Sequence, residues 1–268
     1  MAPARWTIVI PYFNEEKWLP ATLASLGAQT HRPFRVVLVD NGSTDSTPAI
    51  ARRWAAGQQG IETTLLTQPV PGQVHALNMG IAAVETEFIA ICDADTLYPP
   101  HYLETATRHL DAASPGIIGF IAHDTGPNPD SLWERVGRWL YTHVIPNLLT
   151  HQAHGGGYAH LFRTAPYKAS GGYDPALWPY VLKDHELVHR LWKQGRIAYA
   201  RDLWVQPSPR RADRTSVRWT LPERILYHAT LPSQKDWFFY DYLRPRFIAR
   251  GQKDTVLRQQ NWAAPEQG

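Results

Sequence analysis

Five apolar residues, Phe88-Ile89-Ala90-Ile91-Cys92, run straight into two carboxylates one residue apart, Asp93-Ala94-Asp95. An uninterrupted apolar run of this length reads as a strand buried on both faces, which needs a layer packed above it and another below. If the strand continues through the carboxylates, alternation puts Asp93 and Asp95 on one side. Held that close, they repel unless a cation lies between them or one takes a proton. Their hard oxygens suit Mg²⁺ or Mn²⁺, and such an ion would also bind a substrate diphosphate. A solvated turn at the strand end is the alternative, since aspartate is common in turns.

The stretches before this one repeat the same punctuation. Trp6–Ile10 is β-rich and ends at Pro11-Tyr12-Phe13-Asn14-Glu15, after which Leu19, Leu23 and Leu26 recur at helical spacing. Phe34–Val39 is a second buried strand, stopped by Asp40-Asn41-Gly42-Ser43, and Ser46 or Thr47 with Pro48 opens a helix. Glu62–Leu66 is a weaker strand. Gly72 then precedes a helix in which Val74, Leu77, Ile81 and Val84 share a face. Strands alternating with helices imply an α/β chain with a mainly parallel sheet. Ligands of such sheets bind beyond the carboxyl ends of the strands. Asn14/Glu15, Asp40/Asn41 and Asp93/Asp95 are therefore expected to converge on one crevice. No Gly-x-Gly-x-x-Gly and no Walker lysine loop follows the first strand, which argues against a dinucleotide dehydrogenase or a P-loop enzyme.

Composition excludes other classes. Cys92 is the single cysteine of 268 residues, so neither a disulfide framework nor a Cys-rich zinc site is available. It is expected to be a core thiol. A net charge of +3 does not argue for nucleic acid. No apolar run approaches the ~20 residues of a membrane helix. The first strand begins almost at once, without a signal-peptide pattern, so the expectation is a cytoplasmic protein, with peripheral contact at the inner membrane face left open.

The strand ends Pro11-Tyr12-Phe13-Asn14-Glu15 and Asp40-Asn41-Gly42-Ser43-Thr44-Asp45, followed by Asp93-Ala94-Asp95, resemble family 2 glycosyltransferases of the GT-A fold over about residues 5–205. The resemblance implies a GT-A type, Rossmann-like, mainly parallel sheet flanked by helices, with a helical C-terminal extension. It implies a catalytic domain over 1–205, with a nucleotide-sugar half over 1–110 and an acceptor half over 111–205. Residues 206–268 would form a basic, aromatic extension packed on it. It implies a nucleoside diphosphate sugar as donor, UDP-linked first, Mn²⁺ or Mg²⁺ as cofactor, and a hydroxyl acceptor such as a sugar or glycolipid. Pro11, Tyr12, Asn14 and Glu15 would line the base pocket, and Asp40 would accept hydrogen bonds from the nucleobase or ribose, with Asn41 next to it. Gly72, Asn78, Asp93 and Ala94 would also touch the donor, and Asp93 and Asp95 would bind the metal. One departure is Gly72-Gln73, where many members carry Gly-Lys; His75 or an arginine could stand in.

In the second half Ile117–Ala122 is a strand. Leu132, Val136, Leu140 and Val144, with Trp133 beside them, mark a helix face that fits the core better than a ligand site. His154-Gly155-Gly156-Gly157-Tyr158 resembles the family's acceptor-side loop, with Gly156 and Gly157 next to the transferred sugar; Gly172-Tyr173-Asp174-Pro175 reads as structural. Leu182-Lys183-Asp184-His185-Glu186-Leu187 resembles the family's Glu-Asp-x-x-Leu element, with Lys183 in the place of Glu. Transfer to an alcohol needs a base for the hydroxyl proton, and by resemblance that base is Asp184. The alternatives are an N-cap role for Asp184 and Glu186 as reserve base. Ile197–Ala200 is a last strand. Neither Gln206 nor His228 is assigned to metal. The basic loop over 208–218 either closes over a diphosphate or is simply solvated. The aromatics of Trp237–Tyr242, with Arg244, Arg246 and Arg250, fit packing on the core better than docking on lipid. A catalytically silent sugar-nucleotide or glycan binder on the same fold is the rival reading. A nucleotidyltransferase is disfavoured, because its Gly-rich basic loop after the first strand is missing.

Overall fold

The computed structural model describes residues 3–124, 156–212 and 219–259, together with residues 132, 136, 139, 140, 144 and 217. The apolar runs become strands β1 (Trp6–Tyr12), β2 (Phe34–Asp40), β3 (Ile61–Thr67) and β4 (Phe88–Ile91). All four run parallel, with β1 between β2 and β4. Every residue of β1 and β4 is buried, as expected for strands covered on both faces. Helices α1 (Leu19–Gly27), α2 (Thr47–Ala56) and α3 (Gln73–Ala82) make the crossovers, and α3 packs on β1 and β2. The register sets Tyr12 opposite Asp40 at the carboxyl ends, so the loops that leave β1 and β2 start side by side.

Past β4 the chain departs from a simple alternation. β4 stops at Ile91, and Asp93–Asp95 form a turn into the short β5 (Thr96–Leu97). The expected strand alternation therefore does not place these carboxylates; the turn does. After α4 (Tyr102–Ala112), β6 (Ile117–Ile121) and β7 (His123–Asp124), the segment through Leu161-Phe162-Arg163 forms a strand, β8 (His160–Arg163). It inserts antiparallel between β4 and β6, which joins the two halves in one sheet of order β3-β2-β1-β4-β8-β6-β9, with β9 at Arg196–Ala198. A second, three-stranded sheet β5-β10-β7 carries β10 (Trp204–Pro207) alongside the carboxylate turn.

Helices α5 (Thr164–Ala169) and α6 (Lys183–Trp192) follow β8. Beyond β10 come α7 (Leu221–Ala229), a π-helix over Trp237–Leu243 and α8 (Arg244–Ala249). Phe238, Phe239, Leu243 and Phe247 are buried with Trp178, Tyr180 and Tyr227 in a second core, so the aromatic run packs inward. Trp237 stays 48% exposed. Most of the helix expected around residues 131–149, including Trp133, lies outside the described residues. Of its face, Leu132, Val136 and Leu140 are 69%, 40% and 41% exposed, which corrects the core reading for them. Periodicity marks a helix face but not what covers it. No helix among the described residues is long and apolar enough to cross a membrane.

One buried cation in the second core gives a pH prediction. Lys235 is 2% exposed, and its Nζ donates to the Tyr227 carbonyl and lies 3.8 Å from the Tyr227 ring centroid. Burial pulls its pKa down to about 8. In the unfolded chain a lysine holds its proton to about 10.4. Between those values the unfolded state binds more protons, so this group makes stability rise with pH across that window. Urea midpoints are expected to climb from about pH 8 to 10, and more steeply in the native chain than in Lys235→Met. Equal slopes in the two proteins would rule the effect out.

Candidate active site

The three strand-end clusters do converge, and hydrogen bonds hold them together. Asn14, at φ 52°, accepts from the Thr44 N–H at 2.8 Å through Oδ1, and its own N–H donates to Ser43 Oγ at 3.1 Å. Asn41 is 4% exposed. Its Nδ2 donates to the carbonyls of Gln68 and Val70, and its Oδ1 accepts from Gly72 N–H at 2.9 Å. Both asparagines thus serve as fasteners between loops. Asp40 Oδ1 accepts from Ser43 N–H at 2.9 Å, while Asp45 accepts from Thr47 N–H and secures the start of α2. Tyr12 is buried, and burial pushes its phenol up to about 12.

At the β4 turn, Tyr98 Oη accepts the Asp93 N–H and donates to the Tyr158 carbonyl, both at 3.1 Å. Thr22 of α1 donates to the Ala94 carbonyl, and Ala94 is buried, so it supports the turn from within. Asp93 Oδ1 accepts from Gln73 Nε2 at 3.2 Å. Asp95 faces the loop after β10: Ser208 donates to its carbonyl through N–H and to Oδ2 through Oγ, each at 2.8 Å. Arg210 then bridges two strand ends. Its Nε donates to Asp95 Oδ2 at 2.8 Å and its Nη2 to Glu15 Oε1 at 2.5 Å. Burial pushes the Glu15 carboxyl up to about 7; Arg210 opposes this, and Asp95 and Asp93 reinforce it. Glu15 Oε2 is buried and accepts no bond among the described residues.

Tyr158, whose carbonyl takes the Tyr98 bond, follows Gly157, and Gly157 packs against Asp184. The N-cap of α6 is Leu182 at φ 60°, a left-handed conformation that is uncommon for a bulky side chain. That turn leaves Asp184 in the first turn of α6, where its Oδ1 accepts from Tyr173 Oη at 2.5 Å. The N-cap reading of Asp184 is therefore corrected. Lys183 Nζ lies 3.5 Å from Oδ2. Burial alone would raise the Asp184 pKa, but Lys183, His160 and the Tyr173 bond outweigh it and hold the carboxyl well below its usual range. Tyr173 in turn hangs on Asn78, whose Nδ2 donates to its carbonyl at 2.9 Å. Gly157 must be glycine, because a Cβ there would lie 2.7 Å from both Asp184 Oδ1 and Tyr173 Oη. At Gly156 a Cβ would meet the Tyr158 ring at 2.5 Å. Gly155 and His154 lie outside the described residues. Glu186 is not a reserve base: it is 1% exposed and bonded to Arg190 and Tyr240.

Among the described residues no group of three or more His, Cys, Asp and Glu is arranged to hold an ion by itself. Mg²⁺ characteristically takes one or two carboxylates and completes its shell with substrate phosphate and water. The Asp93/Asp95 pair fits an ion of that kind. Gln206 and His228 are exposed, the latter on α7. Sequence reasoning missed Tyr98 and took Tyr173 as structural. The basic loop over 208–218 was the only signal for Ser208 and Arg210, and nothing local pointed to the tail segment of residues 252–258.

An α/β sheet with acidic turns at the carboxyl ends of its parallel strands, closed by an antiparallel strand and a second small sheet, defines a GT-A type fold. The model of glycosyl transferase family 2 matches residues 7–170, and this chain belongs to that family. The succinoglycan biosynthesis protein ExoA of Rhizobium meliloti is 29% identical over 199 residues, 70% of this chain and 58% of ExoA. A glycosyltransferase of Mycobacterium bovis is 34% identical over 119 residues, 44% of this chain and 50% of that one. The chain thus spans about half the length of the curated relatives it matches. Among solved structures, TarS of S. aureus in complex with UDP-GlcNAc aligns with TM-score 0.59 at 20% identity, covering 91% of this chain and 73% of TarS. The mannosyltransferase PcManGT of Pyrobaculum calidifontis, in complex with GDP-Man and Mn²⁺, aligns with TM-score 0.62 at 20% identity, covering 96% and 71%.

Proposed function

We propose that this chain is an inverting glycosyltransferase that moves a sugar from a nucleoside diphosphate sugar to an acceptor hydroxyl. The observation that carries this reading is that two features are linked through Tyr98, Tyr158 and Gly157. One is a carboxylate turn bridged to Glu15 by Arg210, and the other is a largely buried aspartate packed against a glycine. Asp184 takes the proton of the acceptor hydroxyl as its oxygen attacks the anomeric carbon. The bond from that carbon to the donor diphosphate breaks in the same displacement, so no covalent enzyme intermediate is needed. Gly157 lets the Asp184 carboxylate and the Tyr173 hydroxyl pack against the backbone there, and Tyr173 and Asn78 fix the aspartate's direction. Arg210 lies where a leaving diphosphate would be neutralised, with Ser208 beside it. Asp95 and Asp93 would hold Mg²⁺ or Mn²⁺ there, and the ion would supply further charge neutralisation. Asp40, with the backbone of Pro11 to Glu15, would line the nucleotide pocket. Asn14, Asn41, Asn78 and Ala94 act by holding that pocket in shape.

The neighbour TarS is bound to UDP-GlcNAc and PcManGT to GDP-Man, so UDP and GDP donors are the first to test. Thermal unfolding with UDP-, GDP-, CMP- and dTDP-linked sugars, with and without Mn²⁺, tests the donor site. A ligand at 100 times its Kd adds about 2.7 kcal/mol, which shifts the midpoint by several degrees. The expected result is a shift for one nucleotide that needs the metal, abolished in Asp95→Ala. No shift with any donor would sink the donor-site reading.

A further inference from the structure

The segment of residues 252–258 returns to the strand ends from the far side of the molecule. Gln252 accepts at its carbonyl from Val181 N–H, Lys253 bridges Tyr180, and Asp254 N–H donates to the Pro179 carbonyl at 3.1 Å. These bonds tie it to the stretch just before Asp184. Asp254 Oδ2 accepts the Val74 N–H at 2.9 Å and so occupies the N-terminus of α3 beside Gly72, where a Cβ would clash at 2.9 Å. Arg258 then lies over the Phe13 ring, 3.6 Å from its centroid. Its Nη1 donates to Asn41 Oδ1 and its Nη2 to the Asn41 carbonyl, both at 2.8 Å.

Those contacts hold the guanidinium in two ways, on an aromatic face and through two bonds to Asn41. A fork held in this way loses little freedom when it binds something else. Each terminal nitrogen carries a second N–H, and these make no bond among the described residues. Asp40, one residue before Asn41, offers Oδ2, which likewise accepts no bond there, whereas Oδ1 takes Ser43 N–H. The field of Asp40 is felt at Arg258 and opposes the loss of its charge. The crevice edge thus presents a donor fork next to a carboxylate acceptor.

We infer that Arg258, from the tail, adds the second contact to the donor's nucleobase beside the Asp40 expected there, and that it is the specificity-determining residue. This rests on the donor-site reading above. A carboxylate accepts a ring N–H, and a guanidinium donates to a carbonyl oxygen. Uracil and guanine present a ring N–H next to a carbonyl oxygen; adenine presents no carbonyl. The site therefore takes a uridine or guanosine diphosphate in preference to adenosine diphosphate. Phe13 serves as the platform under the guanidinium, and Asp254 pins the segment in register.

Isothermal titration of the full chain with UDP, GDP, CDP and ADP, with Mn²⁺ present, tests this. The native chain is expected to prefer UDP or GDP over ADP by at least about tenfold, the scale of one well-placed hydrogen-bonded contact. Arg258→Ala is expected to weaken the preferred nucleotide by at least about tenfold and to narrow its advantage over ADP to within about threefold. Arg258→Lys keeps the charge but not the fork, so it is expected to recover part of the overall affinity and none of the discrimination. Native preference for ADP would overturn the inference, as would an unchanged ratio in Arg258→Ala. Equal weakening of all four nucleotides would show a merely structural residue, and uniform tightening would show a segment that blocks the pocket; either overturns it. No binding of any nucleotide by the native chain would fell the donor-site reading itself. Native discrimination that survives in the variant would fell only the role of Arg258.

Discussion

Asp184→Asn is expected to lower the rate of sugar transfer by about 10²- to 10⁴-fold, the range that a positioned base contributes, while the protein stays folded. The substitution is nearly isosteric, and an amide oxygen can still accept the Tyr173 Oη bond that Asp184 Oδ1 accepts at 2.5 Å. What it removes is the negative charge and the site for the acceptor proton. The charge is held by neighbours: burial works against it, and Lys183, His160 and Tyr173 keep the carboxyl ionised well below its usual range. Asp184 itself is therefore not expected to set an acidic limb. If the rate falls below pH 7, the group to examine is Glu15, which burial brings up to about 7 and which bonds Arg210. Initial rates and donor titrations on the same preparation separate the outcomes. A lost rate with donor affinity kept is the expected pattern. A variant with full activity would remove Asp184 as base, and an unaltered glycan-binding function in a chain without transferase activity would favour the silent binder.

Glu186→Ala is expected to cost about 3–5 kcal/mol, the scale for breaking one side of a buried ion pair. At this size that corresponds to a midpoint lower by on the order of 10 °C. Glu186 is 1% exposed, and its carboxylate accepts from Arg190 Nε at 2.6 Å and Nη2 at 2.8 Å and from Tyr240 Oη at 2.6 Å. Arg190 also donates to the carbonyls of Ser170 and Gly172. One carboxylate thus joins α6, the turn leading to Tyr173 and the π-helix of the second core. Removing it leaves a guanidinium 9% exposed that keeps only those two neutral carbonyl acceptors among the described residues. Urea unfolding measures the loss. Activity per folded molecule should fall far less than in Asp184→Asn. The reverse order would make Glu186 the base and overturn both assignments.

The legible parts of the molecule were those written in local chemistry. β1, β2 and β4 are apolar runs that formed where composition placed them, although β1 continues through Pro11 to Tyr12 and is not ended by the proline. β8 was missed because His160-Leu-Phe-Arg163 is four residues long, with a polar residue at each end. It is a strand only because β4 and β6 offer edges on both sides. The tail aromatics could be weighed between core and surface by their hydrophobicity, but the buried pair Phe238 and Phe239 needed Trp178 and Tyr227 as partners to settle it.

The residues alone specified the first four strands with the helices between them, the polar loops that follow them, and the family to which those motifs belong. All of these depend on residues a few positions apart, where periodicity and backbone preference act directly. Only the tertiary structure decided what stands around the carboxylates. Arg210 reaches Asp95 across 115 residues and Glu15 across 195, and Arg258 reaches Asn41 across 217. No local pattern encodes such partners, since an arginine in a basic loop or a tail looks the same whether it meets water or an acid. The physical reason is that a charge acquires its role from the burial and the counter-charges the fold brings to it, and those come from the whole sheet at once.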